Sequence, residues 1–289
     1  MSTDTTTLSR DRFTDWINIG FGIHGTVYSA YDTFLQQRVA IKEVGNVHKI
    51  DGVSIRSGKY EILALKSLQC ECVVKYYGYW EELNRQNSQC PPRYLIDYTY
   101  IVEELVEGEL LKSLVERWTG RLEGADPKVK CVNINIEYQK LVWKILGQII
   151  EAMVIFQERG WVHQDLNLNN IFWIGSKSES SCENDENANN DGKIRIIDFS
   201  LSGKLSEGYP PDNITQITCN LTGLDFMLYS SRGKNGRETY DIRLEEYKED
   251  GIILSPIMKD MLLLMIMSLK DHRGDSVGLL RLYQELDTQ

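Results

Sequence analysis

Apolar and polar positions alternate along residues 13–44, with β-branched and aromatic side chains enriched, and the alternation breaks at the glycine-rich stretch 20–25. A period of two marks half-buried strands, so this pattern predicts two strands, a tight loop and a third strand ending near Lys42. The period changes over 58–69, where Ile62, Leu65 and Leu68 fall three apart on one helical face. Val73 to Trp80 and Tyr98 to Glu103 read as two further strands, and the polar stretch from Asn84 to Arg93, with Pro91-Pro92, reads as the loop between them. The first hundred residues therefore predict a small sheet with one helix.

After Glu107-Gly108 the pattern turns helical. Ile136 to Glu158 carries Leu141, Ile145, Ile149 and Phe156 at helical spacing, and Gly160 stands where a helix C′ glycine belongs. Two short apolar strands follow, Ile171 to Ile174 and Lys193 to Ile197. The run GSKSESSCENDENANND between them is too polar to bury a core and predicts an insertion over about 175–192. No internal repeat is visible. The class is α+β: a strand-rich lobe over about 13–104, then a helix-rich lobe over about 108–289.

Charge narrows the function. The 289 residues hold 42 acidic against 32 basic side chains, a net charge of −10, which argues against binding nucleic acid through phosphate neutralisation and suits a basic partner. The six cysteines (Cys70, Cys72, Cys90, Cys131, Cys182, Cys219) contain no CxxC pair, which argues against a zinc site or a disulfide framework and for reduced thiols. The polar start MSTDTTTLSR lacks the apolar segment of a secretory signal. Met261 to Leu269 is too short an apolar run to cross a bilayer and reads as a buried helix. The expectation is an intracellular protein, in nucleus or cytoplasm, with no membrane partner.

Chemistry concentrates in four places. Gly20-Phe-Gly22-Ile-His-Gly25-Thr-Val27 fits GxGxxGxV, in which glycines let backbone amides approach a phosphate. The pattern Val27-Tyr28-Ser29-Ala30-Tyr31 continues as strand, whereas a dinucleotide fold needs a helix directly after the glycines. Val39-Ala40-Ile41-Lys42 ends an apolar strand on a lysine, and Glu61 stands in the predicted helix that follows. His163-Gln-Asp165-Leu-Asn167-Leu-Asn-Asn170 follows the long helix, and Asp198-Phe199-Ser200 follows the apolar strand after the insertion.

In this order and on these elements, the four resemble the glycine loop, VAIK strand, HRDLKxxN catalytic loop and DFG segment of eukaryotic protein kinases. The resemblance implies a bilobal protein-kinase fold over 13–289, with a small β-rich N-lobe, one helix, and a truncated helical C-lobe. It implies ATP and Mg2+ as cofactors and a protein hydroxyl as acceptor. Asp165 would handle the hydroxyl proton, Lys42 would meet the α- and β-phosphates while pairing with Glu61, and Asn170 and Asp198 would hold magnesium. Gly20, Gly22 and Gly25 would cover the phosphates. Val27 and Ala40 would flank adenine, and backbone groups of Glu104 and Val106 would meet its edge, with Glu103 in the gatekeeper position.

The chain departs from the family pattern at Gln164 (for arginine), Asn167 (for lysine) and Ser200 (for glycine), and it has no APE after Asp198. Gln164 offers no charge to a phosphorylated activation loop, and serine at 200 disfavours the left-handed backbone that glycine permits. Ile196-Ile-Asp198-Phe-Ser-Leu-Ser202 and Thr239-Tyr-Asp241-Ile-Arg-Leu244 resemble haspin-type kinases, which implies a basic histone tail as substrate. Val73-Val-Lys-Tyr-Tyr-Gly-Tyr-Trp80 instead resembles the stress kinases that act on a translation initiation factor. Two functions stay open: a serine/threonine kinase, and a pseudokinase that keeps the fold as a nucleotide-binding or protein-interaction module.

Overall fold

The computed structural model describes residues 8–22, 24–49, 58–84, 94–119, 136–175, 192–212, 214–222, 224, 235–249, 253–271 and 275–288. The expected polar insertion, between Gly175 and Gly192, and residues 85–93 of the loop expected from Asn84 to Arg93 lie outside them; Asn84 itself ends a strand. Two compact units emerge: the described residues of Met1–Glu107 with Ile197–Gly203, and those of Gly108–Ile196 with Lys204–Gln289. The first is built on a sheet and the second on helices, the α+β, bilobal kinase class that the hydrophobic pattern and motifs imply.

The first unit is a five-stranded antiparallel sheet of β1 (Phe13–Gly22), β2 (Gly25–Asp32), β3 (Gln37–Lys49), β4 (Tyr76–Asn84) and β5 (Tyr94–Glu104), in the order β1-β2-β3-β5-β4. Three strands differ from expectation, and of these the fifth begins at Tyr94, four residues before the expected Tyr98, because its start pairs with the extended end of the third. The third continues past Lys42 to Lys49 because it pairs with β5 from Val39 opposite Glu104 to Lys49 opposite Tyr94. The fourth begins at Tyr76, since Val73 and Val74 are buried in the connection that precedes it and lend their apolarity to the core there.

Register sorts the side chains of this sheet onto two faces. Val39, Ile41, Ala30, Tyr100 and Val102 share one face and join Phe13, Trp80 and Leu8 in an apolar cluster. Trp80 stacks on Tyr100 at 4.7 Å between ring centres and on Phe13 at 5.3 Å. The opposite face carries Val27, Ala40, Lys42, Ile101 and Glu103, because Val27 and Ile101 pair with Lys42 while Glu103 pairs with Ala40. Helix α1 (Gly58–Ser67) packs on that second face: Gly58 comes up against Thr99, and Glu61, Ile62, Ala64 and Leu65 are buried. A lysine and a glutamate are thus brought under a helix because a period of two and a period of 3.6 meet there.

The second unit is organised by α3 (Ile136–Glu158), which forms over the range its periodicity predicts. Leu141, Val142, Ile145, Leu146, Ile149, Ile150, Met153 and Phe156 bury a wide stripe of it, and Gly160 beyond its end takes a left-handed φ of 72°. Strands β6 (Glu109–Leu110), β7 (Ile171–Ile174) and β8 (Lys193–Ile196) form a small sheet, and α2 (Leu111–Thr119) follows β6. Four more α-helices follow among the described residues: α4 (Thr215–Thr222), α5 (Gly236–Glu249), α6 (Pro256–Lys270) and α7 (Ser276–Asp287). The run from Met261 to Leu269 lies within α6, with Met261 to Ile266 buried. None of the described helices is long and apolar enough to cross a membrane.

Helices α3 and α7 meet where Gly147 faces the ring of Tyr283, and a Cβ at Gly147 would lie 2.3 Å from Tyr283 Cζ. That ring is stacked on Trp143 at 4.7 Å, and the Trp143 Nε1–H donates to Asp287 Oδ1 at 2.7 Å, so it has little room to yield. Gly147→Ala should therefore lower stability by about 1–2 kcal/mol net, the overpacking cost exceeding the helix-propensity gain of alanine. Thermal unfolding of Gly147→Ala, Tyr283→Ala and the double variant checks this. The double variant should be more stable than the sum of the two single losses predicts.

Candidate active site

Within the first unit, the sheet face described above closes around Lys42. Its ammonium donates to Glu61 Oε1 at 2.6 Å and to Asp198 Oδ1 at 2.7 Å, joining residues 19 and 156 positions away in the chain. Lys42 and Glu61 are both buried, whereas the Asp198 side chain keeps 28% exposure. Burial works against the ammonium, yet the charges of Glu61 and Asp198 raise the Lys42 pKa above the ordinary lysine value. Burial alone would raise Asp198 too, but Lys42 and the Ser200 contacts bring it down to about 2. Glu61 is pushed upward by burial, against the pull of Lys42 and with the negative charge of Asp198 adding to the shift.

Asp198 reaches Lys42 from a left-handed backbone, φ 60°. Ser200 does not occupy that region; its N–H donates to Asp198 Oδ1 at 3.3 Å. The positive φ of this segment therefore falls on the aspartate and not on its third position, and short polar side chains tolerate it.

Glu103 is the unusual member. It shares the sheet face of Ala40 and Lys42, is 8% exposed, and its Oε1 has no hydrogen-bond partner among the described residues. Burial, with the charges of Glu61 and Asp198, raises it to about 8 although Lys42 pulls the other way. One ammonium thus serves three buried or half-buried carboxyl groups, and the least well paired of them keeps its proton at neutral pH.

The glycine loop stands on the same unit. Gly25 takes φ 138°, and a Cβ there would lie 2.1 Å from the carbonyl oxygen of Glu43, so no other residue fits without moving β3. Gly22 is different: a Cβ would meet nothing within 4 Å, so packing does not demand glycine there. Space left open above backbone N–H groups is what a phosphate cradle requires. Gly20 pairs with Val27, which lies on the face of Lys42. Beyond Glu103, the Glu104 N–H donates to the Lys75 carbonyl at 2.9 Å, and Val106 follows, half-buried.

The second unit holds the other polar loop. Both carboxylate oxygens of Asp165 accept side-chain amides: Oδ1 from Asn167 Nδ2 at 2.9 Å and Oδ2 from Asn170 Nδ2 at 2.8 Å. Asn170 Nδ2 also donates to the Asp165 carbonyl at 2.9 Å, so the remaining polar atom of its amide is the carbonyl oxygen. The Asp165 N–H donates to His163 Nδ1 at 3.2 Å, and His163 is fully buried.

One residue that motif matching misses anchors this loop. Asp212 accepts the backbone N–H groups of His163 at 2.7 Å and Gln164 at 2.8 Å. Burial pushes the Asp212 carboxyl up while His163 and the two N–H groups pull it down. Gln164, at a left-handed φ of 66°, donates through Nε2 to the Pro210 carbonyl at 2.6 Å. A neutral amide thus ties down the segment that follows Asp198. The signal for Asp212 was an acid after Pro210-Pro211, just ahead of the polar-start helix α4, too short to separate from ordinary loop chemistry.

The chain belongs to the protein kinase domain family, whose model matches residues 13–221. Curated relatives include a probable serine/threonine-protein kinase of Dictyostelium discoideum, 26% identical over 61% of this chain and 22% of the relative. Mitogen-activated protein kinase 4 of Homo sapiens is 28% identical over 68% of this chain and 29% of the relative. Stress-activated protein kinase JNK of Suberites domuncula is 22% identical over 69% of this chain and 44% of the relative. The chain therefore spans less than half the length of these relatives.

The state of Glu103 is measurable. A folded pKa of about 8 against 4.5 for the ordinary carboxyl means that the folded chain holds an extra proton across that window. Its contribution to stability then falls as pH rises from the lower value to the upper one, by about 1.4 kcal/mol per unit at most. Glu103→Gln carries no such proton. Its melting temperature relative to wild type should rise from pH 5 to pH 8, and a pH-independent difference would show that Glu103 ionises normally.

Proposed function

We propose that this chain is an ATP- and magnesium-dependent serine/threonine protein kinase of haspin-like type, acting on a basic protein segment. The observation that carries the reading is Lys42 held at 2.6 Å by Glu61 and 2.7 Å by Asp198. A buried ammonium fixed by a helix carboxylate on one side is positioned to meet phosphate oxygens on the other. The open space above Gly22 and the left-handed Gly25 support phosphates over the same sheet. Val27 and Ala40 supply the apolar surface for adenine, and the Glu104 carbonyl and Val106 backbone supply its edge contacts.

Asp198 offers a carboxylate and Asn170 an amide carbonyl, both hard oxygen donors of the kind magnesium takes. Magnesium bound to ATP would neutralise phosphate charge as it is transferred. Asp165 accepts the proton of the substrate hydroxyl, and the amides of Asn167 and Asn170 hold its two oxygens in one orientation. Each oxygen retains a lone pair for that task. Asn167 takes the place of a lysine and trades a charge on the phosphate for a hold on the base.

The basic substrate rests on the net charge of −10, and the haspin-like type on Ile196 to Ser202 and on Thr239 to Leu244, which lie in helix α5. The serine/threonine preference agrees with the Dictyostelium discoideum relative, a probable serine/threonine-protein kinase. An intracellular location goes with this reading.

Transfer from γ-labelled ATP with magnesium to an array of basic tail peptides tests it. Asp165→Asn should cut transfer by roughly 10²–10⁴-fold, leaving nucleotide affinity and melting temperature near those of wild type. Wild-type protein that binds Mg-ATP yet transfers nothing to any peptide or to itself would make the chain a pseudokinase.

A further inference from the structure

The connection between α1 and β4 contains two thiols in contact. Cys70 Sγ and Cys72 Sγ lie 2.9 Å apart, either able to donate to the other, and both side chains are partly exposed. They occupy a turn closed by the Val73 N–H donating to the Cys70 carbonyl at 3.2 Å. The turn is braced on both sides. Leu68 is fully buried and its N–H donates to the Ala64 carbonyl at 2.8 Å; Val73 is likewise fully buried. Gln69 spans the connection, its Nε2 donating to the Leu65 carbonyl at 2.9 Å and the Val74 carbonyl at 3.3 Å, while its Oε1 accepts the Tyr76 N–H at 3.2 Å. Two sulfurs are therefore held together by backbone that has its own reasons to stay in place.

We propose that Cys70 and Cys72 form a reversible thiol–disulfide site, oxidised by peroxide, on the connection that fixes the end of α1. The sulfurs need to close by only about 0.9 Å to reach the bond length of roughly 2.05 Å. A thiolate on either cysteine accepts a hydrogen bond from the thiol of the other, which stabilises the nucleophilic form. That thiolate attacks one oxygen of hydrogen peroxide: an S–O bond forms, the O–O bond breaks, and the departing hydroxide takes the displaced proton to become water. The second sulfur then attacks the sulfenic sulfur; the S–S bond forms, the S–O bond breaks, and hydroxide leaves with the second thiol proton as water. Two thiols and one peroxide give one disulfide and two waters, with two electrons passing from sulfur to oxygen. A resolving thiol this close captures the sulfenic acid before further oxidation.

The consequence reaches Glu61. The turn follows directly from the helix that carries it, and closing the sulfurs draws Cys70 against Gln69 and Leu68, whose bonds pin the last turn of that helix. Oxidation should therefore alter the Lys42–Glu61 contact, and this part rests on the nucleotide-site reading above. The modification itself does not.

The full chain treated with hydrogen peroxide and then with an alkylating reagent tests the site by peptide mass. The peptide with Cys70 and Cys72 should lose two hydrogens and escape alkylation at both sulfurs. A dithiol reductant should restore both. Cys72→Ser should show no such loss and should instead accumulate oxygen additions on Cys70. Separate oxygen additions on both cysteines of wild type, or two alkylated thiols after peroxide, would overturn the proposal. A melting curve of Cys70→Ser/Cys72→Ser matching reduced wild type would show that the thiols are not needed for folding, and insensitivity of that variant to peroxide would tie any shift in Mg-ATP affinity of wild type to this pair. Formation of the disulfide with no change in Mg-ATP affinity would overturn the link to Glu61 alone.

Discussion

A single buried ammonium sets the terms for the first unit. Lys42 is taken out of water under α1, and a lone charge there would cost several kcal/mol. Glu61 and Asp198 compensate it from two distant parts of the chain. The register that pairs Lys42 with Val27 and Ile101 also lines up Ala40 and Glu103 on the same face, while the alternate residues fill the aromatic cluster on the other. A slip of one residue in β3 would put the ammonium among Trp80, Tyr100 and Phe13. Sheet register and site geometry are therefore one constraint.

Charge balance in that pocket explains its odd member. Three carboxyl groups surround one lysine, and they differ in how well they are paired: Glu61 and Asp198 touch the ammonium, whereas Glu103 does not. The cheapest arrangement leaves Glu103 neutral, as burial and its acidic neighbours dictate. The second unit solves a comparable problem with neutral groups. Its loop around Asp165 is held by amides from Asn167 and Asn170 and by the Asp212 carboxylate under two backbone N–H groups. Where the family pattern places arginine and lysine, this chain uses Gln164 and Asn167, so positioning is done by short-range hydrogen bonds and not by long-range charge.

Much of this was legible in the residues. The period of α3 gave its limits because one helix buries a continuous stripe, and Lys42 and Glu61 stood out by motif and spacing. The end of β3 was not legible, because pairing with β5 and not local pattern decides where a strand stops. Val73 and Val74 look like strand but are buried connection, since burial and pairing both select β-branched residues. Asp212 escaped because its role is to accept backbone N–H groups from a loop 48 and 49 residues earlier, a contact without a spacing rule. The Cys70–Cys72 contact was invisible for a similar reason: two cysteines separated by one residue meet only if the backbone turns between them.

The proposed role of Lys42 is to meet phosphate and not to stabilise the fold. Lysine alone is a poor target, because its loss leaves Glu61 buried without compensation. Lys42→Met/Glu61→Gln removes both charges and keeps the shape. Calorimetric titration of ATP with magnesium into wild type and this double variant is the direct measurement, with melting curves beside it. Similar melting temperatures are expected, with an affinity at least about tenfold weaker in the variant, the loss of one charge-assisted contact to phosphate. Equal affinity in two equally folded proteins would contradict that role.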